Sequence, residues 1–484
     1  MSQVNPYYLG AFVTYLVVVL GIGVWAFRRT RSVLDFWVYG QSMGPGLATW
    51  SLVANFVSSV SVIGFIGVVY TEGYALMGHT ILGLMLGLAA LYFVVGYVRP
   101  LNVLTFPDLM ARVTGIQASR PLAGTILLVS GWLYLVMQLA GASLLVTAIT
   151  GVPYQQMVWV IAGVFIVYTV LGGLVSVAWT DLLQGVLMVT AVAVALGFMI
   201  VDQGGLTSIN ESLAALDPSR VSPTAGGAYT LLGISASFLA FFGTILTEQD
   251  MLIRIAATRD VRTAKIHVAA AGVILSVLYT LLVLLGGATT VALVGAGIEL
   301  PVEGGRLIAD AAFPALITQY VPTGVGVVII LAVMSAILST TDTRLHAVGM
   351  TVARDLYSWL RPDATERRLM RVSRASTIVL GLTAAAVAVD PPGTIYDLYA
   401  FRAVIITSAF FIPVYAAVFW TAIDGRAVFG AVAGGGVMGL IAHAAGGALG
   451  AVPSTFVGVG TATLLLLAFH AAFRRIGGTP ADPR

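Results

Sequence analysis

Thirteen apolar runs divide the chain, each long enough to cross a hydrocarbon layer about 30 Å thick as a single helix. They fall at 7–27, 46–70, 77–98, 120–149, 156–177, 180–201, 230–257, 264–297, 322–343, 371–390, 394–422, 426–448 and 454–473. Backbone inside lipid must satisfy its own hydrogen bonds, so runs of this length fold as helices. Composition points the same way: 59% of residues are hydrophobic, 9% are charged and mean hydropathy is +0.98, far outside the soluble globular range. The expectation is an all-α, polytopic membrane protein of about 13 transmembrane helices, in contact with membrane lipid. The first run is too long for a signal peptide and no basic segment precedes it, so it is expected to stay in the mature protein.

Charge placement sets the orientation. All but three of the 24 basic residues sit in alternate short connections, including the seven arginines from Arg344 to Arg374. By the positive-inside rule those connections are cytoplasmic, which puts the N-terminus outside and the C-terminus inside a cell membrane. The exceptions are Arg220 and Arg306 on the other face and Arg402 within a run. This distribution explains the pI near 9.1 without nucleic acid as a partner. With no cysteine and five scattered histidines, thiolate chemistry is excluded and a metal enzyme is not expected. No phosphate loop is present, so ATP-driven transport is not expected either. With ten residues from Arg475 on, a fused signalling module is not expected, and no obligate protein partner is expected.

Within the ninth run, Leu331–Asp342 reads LAVMSAILSTTD. Ala336, Ser339, Thr340 and Thr343 fall at i, i+3, i+4 and i+7, so one helical face carries oxygen while the opposite face stays apolar. Hydroxyls and carbonyls held away from water suit a hard monovalent cation, sodium being the obvious candidate. The same residues also suit close helix contact with hydroxyls bonded back to the preceding turn. The carboxylate at Asp342 favours the functional reading, because an ionisable group at membrane depth is costly.

The second run, SLVANFVSSVSVIGFIG, carries Asn55, Ser58, Ser59 and Ser61 and then Gly64 and Gly67. The seventh, ISASFLAFFGTILTEQD, carries Ser235, Ser237, Gly243 and Thr244. Interrupted helices at corresponding places in two halves point to an inverted-repeat transporter with ligands at midplane, although channels and receptors contain such interruptions too. Two long connections, 202–229 and 298–321, lie on the outer face. Ser208 to Glu211 reads as a capping box for a short surface helix. Each connection is either a lid or a solvated link.

Three stretches, GGLVSVAWTDLLQGVLM at 172–188, AILSTTDTRLHAVGMTVARDLY at 336–357 and VIGFIGVVY ending the second run, resemble the sodium:solute symporters. That group includes sodium/glucose, sodium/proline, pantothenate and monocarboxylate carriers, and the likeness covers nearly the whole chain. The resemblance implies the leucine-transporter fold, with two inverted five-helix repeats at 46–203 and 230–422. Around them lie an extra helix and loop at 1–45, two extra helices at 423–473 and a cytoplasmic tail at 474–484. It also implies a sodium ion held by the carbonyls of Ala54, Val57 and Ala336 and the hydroxyls of Ser339 and Thr340. A second cation in some relatives maps to Asp181, Ser339, Asp342 and Thr343. An alternative for Asp181 is a helix-end charge facing the cytoplasm. Glu248-Gln249-Asp250 departs from relatives, which carry neutral or aromatic residues near Asp250, and places two extra acids at the inner gate.

Candidate solute contacts are Ser58, Ser59, Tyr134, Gln138, Phe242, Thr244, Phe401 and Arg402. Arg402 stands alone as a basic residue well inside a run. Its planar fork suits a carboxylate, so an organic anion such as a monocarboxylate, pantothenate or an amino acid fits better than a neutral sugar. Pairing with Asp397 or snorkelling outward is the other reading. The function expected is sodium-coupled symport of a small organic solute, probed against proton coupling, a sugar or polyol cargo, and a transporter-like sensor.

Overall fold

A computed structural model of the protein describes residues 6–30, 32–303, 306–420, 422–446 and 452–475. Arg31 and the tail beyond Arg475 lie outside the described residues. Nearly all of the described chain is helical. Ten helices are long and apolar enough to cross a membrane, eleven if one bent pair is counted as a span.

In chain order the helices are α1 (Pro6–Phe27), the short α2 (Val33–Val38), α3 (Pro45–Phe56), α4 (Val60–Glu72), α5 (Met77–Leu101), α6 (Phe106–Thr114), α7 (Ser119–Thr150) and α8 (Tyr154–Asp202). Then follow α9 (Leu206–Leu216), α10 (Leu231–Thr247), α11 (Gln249–Ala257), α12 (Val261–Gly295), α13 (Ala312–Ala315), α14 (Thr323–Leu360), α15 (Glu366–Ala388), α16 (Ile395–Phe419), α17 (Gly425–Ala444) and α18 (Ser454–Arg475). Two expected spans form helices that fall short of that length-and-hydropathy measure. The part of α8 at Tyr154–Val167 is short, and α15 opens on Glu366, Arg367, Arg368, Arg371 and Arg374.

The sequence puts a turn near 178–179, but the structure breaks α8 at Gly173, whose φ of +58° a side chain would resist. A Cβ there would stand 2.3 Å from the Phe36 ring, so the glycine also lets α2 approach. Trp179, Thr180 and Asp181 are consequently mid-helix, and Asp181 is fully buried instead of facing the cytoplasm from a helix end.

The second run breaks where expected. α3 stops at Phe56, Val57 is extended (φ −87°, ψ 128°), and α4 leaves at 52°. The seventh run breaks later than its glycine suggests. α10 continues through Gly243 and Thr244 to Thr247, and the extended residue is Glu248 (φ −70°, ψ 128°). Gly243 serves contact instead, since a Cβ there would meet Thr407 of α16 at 2.5 Å.

In the connection 202–229 a surface helix forms as α9, but its N-cap is Gly205 and no side chain caps it. Helix starts at Leu206 because Gly204 and Gly205 end α8, which leaves Ser208 and Glu211 inside α9 and the expected capping box unformed. The connection 298–321 folds as a hairpin, β1 (Val302–Glu303) against β2 (Arg306–Leu307), followed by α13.

α14 is the hub. It packs on α1, α3, α7, α8 and α15, which is why its oxygen-bearing stretch is buried on every side. α16 lies against α7 and α10, while α17 and α18 pair with one another and cover residues 407–411.

Candidate ion and solute site

The break after Phe56 releases backbone carbonyls that a continuous helix would consume. Ser58 N–H turns to Ser61 Oγ at 3.4 Å, so the Ala54 carbonyl has no helical donor four residues on. α14 meets these carbonyls with its hydroxyl face. Ser339 Oγ donates to the carbonyls of Ala54 (2.9 Å) and Ala336 (3.0 Å). Thr340 Oγ1 reaches the carbonyls of Val57 (2.9 Å), Ala336 (2.9 Å) and Asn55 (3.3 Å). All five residues expected to hold sodium are thus brought together, buried, with neutral oxygens only. The sequence reading missed the Asn55 carbonyl, although the break beside it was the signal.

The residues expected to hold a second cation are arranged differently. Asp181 Oδ2 accepts from Ser51 Oγ at 2.6 Å and from Arg254 Nη2 at 2.9 Å, and the same nitrogen reaches Thr343 Oγ1 at 3.0 Å. A guanidinium therefore stands between Asp181 and Thr343. Ser339 is committed to the first cradle, and Asp342 is buried on the same helix.

On the solute side, Ser59 and Gln138 are joined. Ser59 N–H and Oγ both donate to Gln138 Oε1, and Gln138 Nε2 reaches the Ile337 carbonyl at 3.3 Å. Ser58 Oγ accepts from Val60 N–H at 3.2 Å and so caps the start of α4. Tyr134 has two guanidiniums near its ring, Arg344 4.4 Å and Arg402 5.0 Å from the ring centre, contacts stabilised by the negative π-face. Three expected contacts belong elsewhere. Phe242 stacks on Phe238 and meets Phe411. Thr244 bonds Ala240 and faces Thr407 in the α10–α16 contact. Phe401 packs on His443 of α17. Phe241, one residue from the expected position, instead stacks on Tyr399 beside Tyr134.

Arg402 is held by neither Asp397 nor the membrane surface. Asp397 accepts the Thr394 N–H in the capping box that opens α16, whereas Arg402 Nη2 donates to Glu248 Oε1. Glu248 Oε2 accepts from Arg344 Nη1 at 2.6 Å, and that nitrogen is 2.9 Å from Asp250 Oδ1. Ion pairs at this depth persist only where each member is satisfied, since an unpaired buried charge costs several kcal/mol. Sequence reasoning flagged Glu248 and Asp250 as departures without seeing that two buried arginines required them.

The two ends of the site differ. A cavity of ≈ 430 Å³ opens beside the 298–321 connection, lined by Tyr154, Gln155, Asp310, Asp390, Thr394 and Ile395 among others. Around the ion pairs, Ser130, Glu248, Arg344 and Arg402 line a void of ≈ 10 Å³.

A broken helix meeting the hydroxyl face of α14 at a water-poor cradle, a second broken helix supplying Glu248 to a buried ion-pair layer, and a cavity beside the 298–321 connection suit a secondary transporter. The profile of the sodium:solute symporter family matches residues 36–437, and the chain belongs to that family. Similar proteins include the high-affinity proline transporter PutP of Bacillus subtilis, 25% identical over 82% of this chain and 84% of its own. The sodium/pantothenate symporter of Escherichia coli is 27% identical over 88% of each chain. Among solved structures, a sodium-coupled sialic acid symporter in a substrate-bound, outward-open state superposes with TM-score 0.80 at 19% identity over 99% of both chains. MhsT in complex with L-phenylalanine gives 0.52 at 14%, covering 88% of this chain and 98% of its own. The fold is that of the leucine transporter, and the chain is a sodium-coupled symporter of a small organic solute.

Proposed function

We propose that the solute carries a carboxylate and that Arg402 receives it. The observation that carries this reading is the state of the Arg402 fork. The residue is 1% exposed, Nη2 is bound to Glu248, and Nε and Nη1 have no acceptor among the described residues. Buried donors without acceptors are costly, so an incoming carboxylate that accepts from one edge of the fork, Nε or Nη1 beside Nη2, gains strongly. Tyr134, Tyr399 and Phe241 give that carboxylate's organic part an aromatic wall, and Ser59 and Gln138 flank the break in the second run. Proline, pantothenate and sialic acid, named for the relatives, all contain a carboxylate.

Sodium enters the cradle of Ala54, Val57, Ala336, Ser339 and Thr340, where its charge draws the α3 terminus onto α14. The repeats 46–203 and 230–422 rock about this site, with the vestibule end outside, the arginine-rich end and C-terminus in the cytoplasm, and the N-terminus outside. Uptake of labelled L-proline, pantothenate, short monocarboxylates and neutral sugars into proteoliposomes, with and without a sodium gradient, tests the reading. A carboxylate is expected to be the best cargo, and Arg402→Lys, which keeps charge but loses the fork, is expected to raise KM by roughly tenfold or more. A neutral sugar as best cargo, or unaltered uptake by Arg402→Gln, overturns it.

A further inference from the structure

Asn55 belongs to two sites at once. Its carbonyl faces the sodium cradle, accepting from Thr340 Oγ1 at 3.3 Å, and its side-chain Nδ2 donates to Asp250 Oδ2. Asp250 Oδ1 is 2.9 Å from Arg344 Nη1, which reaches Glu248 Oε2 at 2.6 Å, and Glu248 Oε1 takes Arg402 Nη2. Five buried side chains from α3, α11, α14, the α10–α11 break and α16 thus run from the ion cradle to the solute guanidinium.

We propose that Asn55, Asp250, Arg344 and Glu248 are a coupling relay: sodium at the cradle fixes the Asn55 turn, which fixes the ion pairs, which in turn sets Arg402 for the solute and shuts the arginine-rich end. The proposal rests on the cradle being the sodium site. Asn55 sits in the last turn before the extended Val57, where the backbone pivots most easily, so a cation drawing its carbonyl also aims its amide at Asp250. Charges packed at this depth have few alternative partners and shift between discrete arrangements instead of stretching. The relay is also the floor of the site. The void that Glu248, Arg344 and Arg402 share with Ser130 is ≈ 10 Å³, too small for a solute, so passage by this route requires breaking Arg344–Glu248 or Glu248–Arg402. Contiguity alone does not establish coupling, and the physical test is whether both sites bias one element.

The natural absence of cysteine makes the test direct. Ser130 lines the small void under the ion pairs, so Ser130→Cys reports opening of that end through its rate of maleimide labelling in proteoliposomes. Sodium alone is the probe, and binding of radiolabelled sodium to the same protein is measured separately. Sodium is expected to slow labelling at least about fivefold, the lower range of typical coupling between sites. Adding Asp250→Asn or Glu248→Gln, neither of them in the cradle, should abolish the slowing while sodium binding stays within about threefold of the parent. Undiminished slowing in both variants overturns the relay. So does loss of sodium binding in both, which would make them ligand residues instead. Ser339→Ala in the same background separates the two ideas: full retention of sodium binding there defeats the cradle assignment itself.

Discussion

Ser339 and Thr340 show how much chemistry a residue pair carries once its surroundings are fixed. In an isolated helix each hydroxyl would bond back to the preceding turn, as both do to Ala336. Their second partners, the Ala54 and Val57 carbonyls, come from a helix broken 285 and 283 positions earlier in the chain, and that meeting gathers neutral oxygens from two helices into one buried cradle. Ser339→Ala and Thr340→Ala should each raise the sodium concentration for half-maximal uptake by roughly tenfold, as expected for removing one hydrogen-bonding ligand from a charged, water-poor centre. Sodium titration of uptake checks this, and unchanged sodium dependence in both would remove the cradle. The pair was legible in the sequence because its spacing, its small neighbours and its resemblance to relatives agreed. The solute contacts were less so. Phe241 and Phe242 are adjacent, and a helix rotates neighbours by about 100°, so choosing the inward one needs the rotation of α10, which only its packing on α5 and α16 sets. Arg402 was singled out correctly as buried, yet its partner Glu248 is 154 positions away and no local pattern links them.

At the scale of elements, the connection 298–321 is tied to α16 through Asp310, whose Oδ2 accepts the Ile395 N–H at 3.0 Å, one of the orphan donors at a helix start. Burial, with Asp397 nearby, pushes the Asp310 carboxyl up to about 6 against the pull of that hydrogen bond. A carboxyl raised in the folded state binds more protons there than in the unfolded chain across roughly pH 4 to 6, so its contribution to stability falls as pH rises through that window. Melting of the purified protein across pH 4 to 7 should therefore show a stability loss that Asp310→Asn flattens, and parallel profiles for parent and variant would count against it. The sequence marked 298–321 only as a long connection that either covers the vestibule or is solvated. The β1–β2 hairpin, the carboxyl on α16 and the vestibule lining together place it over the cavity. Helix breaks were legible in kind and displaced in position. The second run broke at its serines, but the seventh broke at Glu248 because Gly243 was needed for the contact with Thr407, and α8 broke at Gly173 because Phe36 presses there. A glycine in sequence signals that something unusual happens; whether it is a bend or a close approach depends on a neighbour from elsewhere in the chain.

For the whole molecule the question is what charge crosses with the solute. One sodium moving inward is worth about 2.3 kcal/mol per 100 mV, enough for a roughly 50-fold solute gradient at that potential, and a second ion multiplies this. The buried centre holds Asp181, Glu248, Asp250 and Asp342 against Arg254, Arg344 and Arg402, one carboxylate more than guanidinium. Asp181 and Thr343 are bridged by Arg254, and Glu248 and Asp250 by Arg344, and Asp342 is the other buried carboxylate of the expected second-cation set. It follows Ser339 by three positions, one turn further along α14. Asp342→Asn should then reduce the charge moved per solute, read as current against labelled flux, and flatten a sigmoidal sodium curve towards a hyperbola. Were a proton the partner, the sodium curve would keep its shape while the pH dependence of uptake disappeared. Unaltered charge stoichiometry, sodium cooperativity and pH profile in the variant would make Asp342 a packing residue of α14. The excess carboxylate would then serve to offset the first sodium, whose own ligands are all neutral.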